Sequence, residues 1–137
     1  GIKTLKVRMD ALQNNAYKLA KWLNEQDEVE KVYYLALDSA EGKELHFSQA
    51  SGAGAVLSFK FKSLETTTYF LNHVKNVAVA VSLGSVETIV SYPAKMSHAS
   101  IPVEKRNDLG ITDTLIRVSV GLEDIEDLIA SFKEAIV

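Results

Sequence analysis

With 137 residues, 47% of them hydrophobic and 24% charged, the chain suits one domain with a sizeable core and is too apolar for disorder. A net charge of -3 offers no broad basic field, which argues against a nucleic-acid backbone as the main partner. The absence of cysteine excludes disulfides and thiolate metal sites and fits a reducing, cytoplasmic location; no apolar run approaches the roughly 18 residues of a membrane span.

The N-terminal GIKTLKVRMD has no signal-peptide core, and its start on charged, helix-compatible residues without Met reads as a piece excised from something longer. Leu5, Met9, Leu12, Ala16, Leu19 and Leu23 recur at helical spacing, which predicts an amphipathic helix over 3–25. VEKVYYLAL, 29–37, reads as a strand. The glycine-punctuated DSAEGKELHFSQASG that follows reads as loop plus a short helix near 43–50. In AVLSFKF, 55–61, Ala55, Leu57, Phe59 and Phe61 alternate with Val56, Ser58 and Lys60, the mark of a strand with one buried face.

SLETTTYFLNHV suits a helix over 63–74 with Leu64, Phe70, Leu71 and Val74 turned inward. VAVAVSLG reads as a short buried strand ending in glycine, and VETIVSYP as a short helix or turn stopped by Pro93. AKMSHASIPVEKRNDLG is a long excursion of the kind that is functional or flexible. LIRVSV is the last strand. A final helix over 122–136 carries Ile125, Leu128, Ile129, Phe132 and Ile136 on one stripe, with Glu123, Asp124, Glu126 and Asp127 where the macrodipole favours acids. The expected fold is α+β: about four strands in a mainly antiparallel sheet, helices layered on one face, the other face covered by solvent or another domain.

Two places could carry chemistry. In LIRVSV, Leu115, Arg117 and Ser119 point away from Ile116, Val118 and Val120, which puts Arg117 on the face without helices. A solvated strand arginine is the commoner case; the alternative is a guanidinium fork offered to a carboxylate through two parallel hydrogen bonds. The second place is 77–90, where an apolar strand runs into Ser82-Leu83-Gly84-Ser85 and a helical turn. Its backbone N–H groups suit an anion, and a plain turn with Ser85 as helix cap is the more frequent case. SGAGAV, 51–56, precedes a strand and so lacks the order of a phosphate loop, which follows one. His46, His73 and His98 are far apart, without zinc spacing, and no GxSxG elbow is present. No metal site and no self-contained catalytic set is expected.

From Ser82 onward the chain resembles the C-terminal domain of the Cys/Met-metabolism, pyridoxal-phosphate-dependent trans-sulfuration enzymes. The residues that carry the resemblance are Ser82-Leu83-Gly84, Glu87-Thr88, Pro93-Ala94, Met96-Ser97-His98, Gly110-Ile111, Leu115-Ile116-Arg117 and Gly121-Leu122-Glu123-Asp124. GIKTLKVRM and SGAGAVLSF are similar, more loosely, to the family's long interdomain helix and its next core strand.

The resemblance implies that Arg117 binds the substrate's α-carboxylate, with Ser82 and Leu83 beside it. It implies that Ser97, where the family has Thr, borders the same pocket. It further implies a small C-terminal domain of an aspartate-aminotransferase-like fold, whose cofactor lysine belongs to an N-terminal domain outside this chain. The 137-residue piece is then silent alone. The full-length enzyme would be a cytoplasmic homotetramer that takes a sulfur amino acid in methionine and cysteine metabolism. Val81 stands where several synthases carry an acid; that leans toward a carbon–sulfur lyase acting on cystathionine or a related compound. Cystathionine γ-synthase and O-acetylhomoserine sulfhydrylase remain alternatives, as do a stand-alone binding module and an oligomerisation domain.

Overall fold

A computed structural model describes residues 1–136. The chain runs α1 (Leu5–Asn24), β1 (Val29–Tyr33), α2 (Lys43–Gln49), β2 (Val56–Phe61), α3 (Leu64–His73), β3 (Ala78–Val79), β4 (Ile89–Ser91), α4 (Val103–Asp108), β5 (Leu115–Ser119) and α5 (Ile125–Ala135), with a short 3-10 turn over Ile2–Thr4. This is the expected α+β class. The sheet is ordered β1-β2-β5-β4-β3. It has five strands among the described residues, rather than about four, and it is mixed, because β3 joins β4 in parallel while the other pairs are antiparallel.

The differences from the sequence reading have local causes. The segment read as a helix or turn before Pro93 is β4, whose Ile89, Val90 and Ser91 are all buried; a run this short has no period to distinguish strand from helix. The apolar run before Gly84 is a strand only at Ala78–Val79, both exposed. As an edge strand it pairs on one side only, and from residue 80 the chain turns across the sheet's open face. The long excursion after Pro93 contains α4. In α3, Leu64 faces solvent while Thr67 is fully buried, its hydroxyl donating to the Ser63 carbonyl oxygen at 2.7 Å.

Helices α1, α3 and α5 cover one face of the sheet. Ala16 and Ala20 let α1 approach closely, and Leu12, Leu19 and Leu23 complete its buried stripe. The two other long helices are capped as their sequences require: Ser63 Oγ accepts from Thr66 N at 3.0 Å and Asp124 Oδ1 from Glu126 N at 2.9 Å. Asp124 is thus the cap of α5 rather than part of its first turn. Under these helices lies an aromatic cluster. Phe70 meets Phe59, Phe61 and Phe132 with ring centroids 5.9, 5.4 and 5.0 Å away, distances at which tilted and edge-on aromatic contacts are favourable.

Tyr34 ties the segment after β1 to this core. Its hydroxyl donates to the Gly54 carbonyl oxygen at 2.8 Å, with that of Gln13 3.3 Å away. Burial pushes the phenol pKa up to about 12, against about 10 in an unfolded chain. The folded state therefore favours the neutral phenol. That stabilisation is complete below the unfolded value and is lost as pH rises through the folded one. Denaturant titrations at about pH 9 and about pH 11.5 check this: wild type loses more stability between the two than Tyr34→Phe. Equal losses would contradict it.

Candidate functional site

Register decides which side chains share the open face. Arg117 of β5 stands opposite Ser58 of β2 on one side and Ser91 of β4 on the other, and Tyr33 of β1 stands opposite Ser58. Directly opposed residues project from the same side of a sheet. Tyr33, Ser58, Arg117 and Ser91 therefore form one row across the face that the helices leave uncovered. Ser119, two residues from Arg117, belongs to the same face.

That face holds the segment from residue 80 to residue 84 against itself. Ser91 Oγ donates to the Ala80 carbonyl oxygen at 2.6 Å, Arg117 Nη2 donates to that of Ser82 at 2.8 Å, and Gly84 N donates to Ser119 Oγ at 2.9 Å. Arg117 Nη2 also donates to Ser91 Oγ at 3.0 Å. Gly84 has φ +81°, a left-handed conformation that glycine adopts without strain. Alternate backbone positions of the turn are thus fixed by side chains of β4 and β5. The side chains of Ser82 and Leu83 remain exposed, and the Ser82 hydroxyl makes no hydrogen bond among the described residues.

Arg106 and Arg117 differ in what they have left to bind. Arg106 is saturated: Nε donates to the Ile111 carbonyl oxygen at 3.2 Å, Nη1 to that of Ala94 at 3.2 Å, and Nη2 pairs with Asp113 at 2.5 Å. It is a structural clamp on the loop after β4. Arg117 has no acidic partner among the described residues, and its Nε is buried with no hydrogen-bond acceptor. A buried guanidinium N–H without an acceptor carries an uncompensated desolvation cost. A two-oxygen fork on this guanidinium uses Nη2 as well, whose two N–H groups already point at the Ser82 carbonyl oxygen and Ser91 Oγ, so a carboxylate that grips it takes the place of one of them.

Of the residues expected to form the site, Ser82 and Arg117 are brought into direct hydrogen bonding, with Leu83 next in the turn. Ser97 is exposed, and its hydroxyl lies 2.8 Å from Nδ1 of His98; no hydrogen bond joins it to Arg117 or Ser82 among the described residues. Ser91 and Ser119, which the structure places on Arg117 and on its turn, are absent from the sequence-based set. The signal for Ser119 was available, since it shares the parity of Arg117. None existed for Ser91 while its segment read as a helix or turn. His46 and His73 bond to the backbone oxygens of Gly52 and Tyr69. No group of three His, Asp or Glu that could hold a metal occurs among the described residues. A cavity of about 540 Å³ at the free edge of β1, lined by Lys31, Tyr33, Tyr34 and Val56 among others, does not include Arg117.

A buried latch supports the site from behind. Glu123 accepts from Thr88 N at 2.5 Å and from Thr88 Oγ1 at 2.7 Å, while Gly121 N donates to Thr88 Oγ1 at 2.9 Å. Asn15 of α1 donates to the carbonyl oxygens of Gly121 and Glu123. The latch joins the entry of β4 to the exit of β5, so the strands bearing Ser91 and Arg117 are fixed relative to each other. A Cβ on Gly121 would lie 2.5 Å from both Thr88 N and the Val86 carbonyl oxygen. Gly121→Ala is therefore expected to cost about 1–3 kcal/mol in denaturant unfolding. An unchanged unfolding midpoint would show that the latch can give way.

Comparison with known proteins follows this geometry. The chain matches the family described as Cys/Met metabolism PLP-dependent enzyme over residues 1–137. It is 46% identical to cystathionine gamma-lyase of Bacillus subtilis (strain 168), over 99% of this chain and 36% of that protein. It is also 46% identical to cystathionine beta-lyase MetC of the same organism, over 99% of this chain and 35% of that protein. To the chloroplastic cystathionine beta-lyase of Arabidopsis thaliana it is 46% identical over 95% of this chain and 28% of that protein. The chain spans about a third of the length of these curated relatives.

Proposed function

This chain belongs to the Cys/Met metabolism, pyridoxal-phosphate-dependent enzyme family, and from that premise we propose that it is the small C-terminal domain that holds the substrate's α-carboxylate. The full-length protein is a carbon–sulfur lyase acting on cystathionine or a related sulfur amino acid. One observation carries the reading: the Nε of Arg117, buried on the open sheet face, has no acceptor among the described residues, beside a serine turn that the same guanidinium holds. Support for the lyase comes from the names of the relatives and from Val81, an exposed apolar residue where several synthases carry an acid.

The division of labour follows from the side chains present. Arg117 supplies charge and a fork that fixes the acid end of an amino acid. Ser82, whose carbonyl oxygen that guanidinium holds, carries a hydroxyl with no hydrogen bond among the described residues, and this hydroxyl can donate to the same carboxylate or to a neighbouring group. Fixing one end of a flexible substrate orients its reacting carbon and lowers the entropy cost of reaction. Pyridoxal phosphate, when bound, supplies an electron sink for charge that develops on that carbon.

In this reading the group is held by the part of the enzyme outside this chain. Among the described residues no lysine is buried, and Lys31 and Lys60 meet the row only at its far end, their Nζ atoms 5.1 and 5.9 Å from the Tyr33 ring centroid. The chemical step therefore belongs to the part of the enzyme outside this chain, an N-terminal domain that covers the open face. A homotetramer in the cytoplasm is the assembly that goes with this reading, although the relative from Arabidopsis is named as chloroplastic.

Addition of pyridoxal phosphate and cystathionine to the 137-residue chain tests the assignment. The expected result is no imine absorption band that stays with the protein once free pyridoxal phosphate and amino acid are removed, and no turnover, whereas the full-length protein shows both. A band and turnover from the short chain would refute the proposed division.

A further inference from the structure

We propose that Ser91 is a positioning residue for the carboxylate site, a role that rests on the assignment of Arg117 above. Ser91 is 3% exposed and stands directly opposite Arg117 in the sheet. Its hydroxyl takes part in two hydrogen bonds whose directions are fixed by chemistry. The Ala80 carbonyl oxygen can only accept, so the hydroxyl proton points to it across 2.6 Å. The guanidinium can only donate, so Nη2 of Arg117 points at the oxygen lone pairs across 3.0 Å. The result is a one-way chain from the Arg117 N–H through the Ser91 hydroxyl to the Ala80 carbonyl, in which each bond polarises the next.

This chain sets the rotation of the guanidinium. Nη2 is held by two acceptors, Ser91 Oγ and the Ser82 carbonyl oxygen. With that nitrogen fixed, the plane of the group is fixed too, and Nε takes the orientation in which it lacks an acceptor. Ser91 at the same time pins the start of the turn whose middle carries Ser82 and Leu83. It therefore sets both halves of the site, the fork and the turn beside it, without itself meeting the substrate. Ser119 makes a useful contrast: it holds the far end of the same turn through Gly84 N and has no hydrogen bond to Arg117 among the described residues.

Steady-state kinetics on the full-length enzyme with its amino-acid substrate tests this. Ser91→Ala removes the acceptor, and Ser91→Cys replaces the hydroxyl with a weak sulfur acceptor of similar shape. A loosened fork weakens ground state and transition state alike, so it raises KM and leaves kcat close to wild type. The expected rise is about tenfold, the loss of one charge-assisted hydrogen bond's positioning. Ser91→Thr, which keeps the hydroxyl, returns KM to the wild-type value. A purely structural role would lower the thermal midpoint and the amount of active enzyme without this split. Should KM stay unchanged in both variants that lack the hydroxyl, or the threonine variant fail to recover it, Ser91 has no positioning role. Arg117→Leu measured in parallel separates the two readings: if it raises KM while the Ser91 variants do not, only the positioning role falls; if it too leaves KM unchanged, the carboxylate assignment falls as well.

Discussion

Arg117→Leu in the full-length enzyme is expected to lower kcat/KM for the amino-acid substrate by about 30-fold to several thousandfold, the equivalent of about 2–5 kcal/mol for losing one partner of a desolvated charge pair. The range follows from the position of the side chain. Arg117 is half-buried on the open sheet face and has no competing acid among the described residues, so its attraction for a carboxylate is not already spent inside the protein. Arg117→Lys keeps the charge but not the fork. A single ammonium cannot bond the Ser82 carbonyl oxygen and the Ser91 hydroxyl as Nη2 does while holding further N–H donors in a fixed plane for a ligand. The lysine variant should recover only part of the loss. Because Ser91 and Ser119 still hold the turn, both variants should fold, and their circular dichroism should match wild type.

The largest effect on stability is expected at Phe70. Its ring is fully buried and touches three other buried phenylalanines, two on β2 and one on α5. It thereby joins α3 and α5 to the centre of the sheet. Phe70→Ala should cost about 3–5 kcal/mol, transfer and cavity terms together, a large share of the roughly 5–15 kcal/mol that holds a domain folded. Thermal unfolding should shift down by about 10 °C or more. A shift of only a degree or two would mean that the cluster closes over the cavity. Phe70→Leu, which leaves less empty volume, should fall between.

What could be read from the sequence depended on whether a segment had one buried face. AVLSFKF has one, and its alternation identified Leu57, Phe59 and Phe61 as core, as the structure shows. The same parity argument put Arg117 on the opposite face from Ile116 and Val118, which pairing with Ser58 and Ser91 now explains. The spacing of leucines and alanines marked α1 to within about two residues. Ile89–Ser91 could not be read, because three buried residues in a row carry neither period. Nor could the parallel pairing of β3 with β4, which arises from contacts between segments joined by a turn lying on the sheet. Thr67 in the core was equally hidden. Its burial depends on the hydroxyl turning back to Ser63, a bond that composition does not reveal.

The candidate site was legible in the same uneven way. Arg117 and Ser82 are 35 residues apart, and only the family likeness placed them together before the fold did. The resemblance also drew attention to Thr88, Gly121 and Glu123 as a pattern. The structure gives that pattern a physical cause, a buried latch that would lose its fit if Gly121 gained a methyl group. Ser91 lay outside every signal, since neither its spacing nor its neighbours distinguished it from a surface serine.

The most direct test compares the full-length enzyme's kcat/KM for its amino-acid substrate with that for the same molecule bearing a carboxamide in place of the α-carboxylate, in wild type and in Arg117→Leu. An ionic fork at Arg117 predicts that wild type prefers the acid by about 30-fold or more and that the preference collapses toward unity in the variant. Equal preference in the two proteins would contradict the assignment, because the acid end of the substrate would then be held elsewhere.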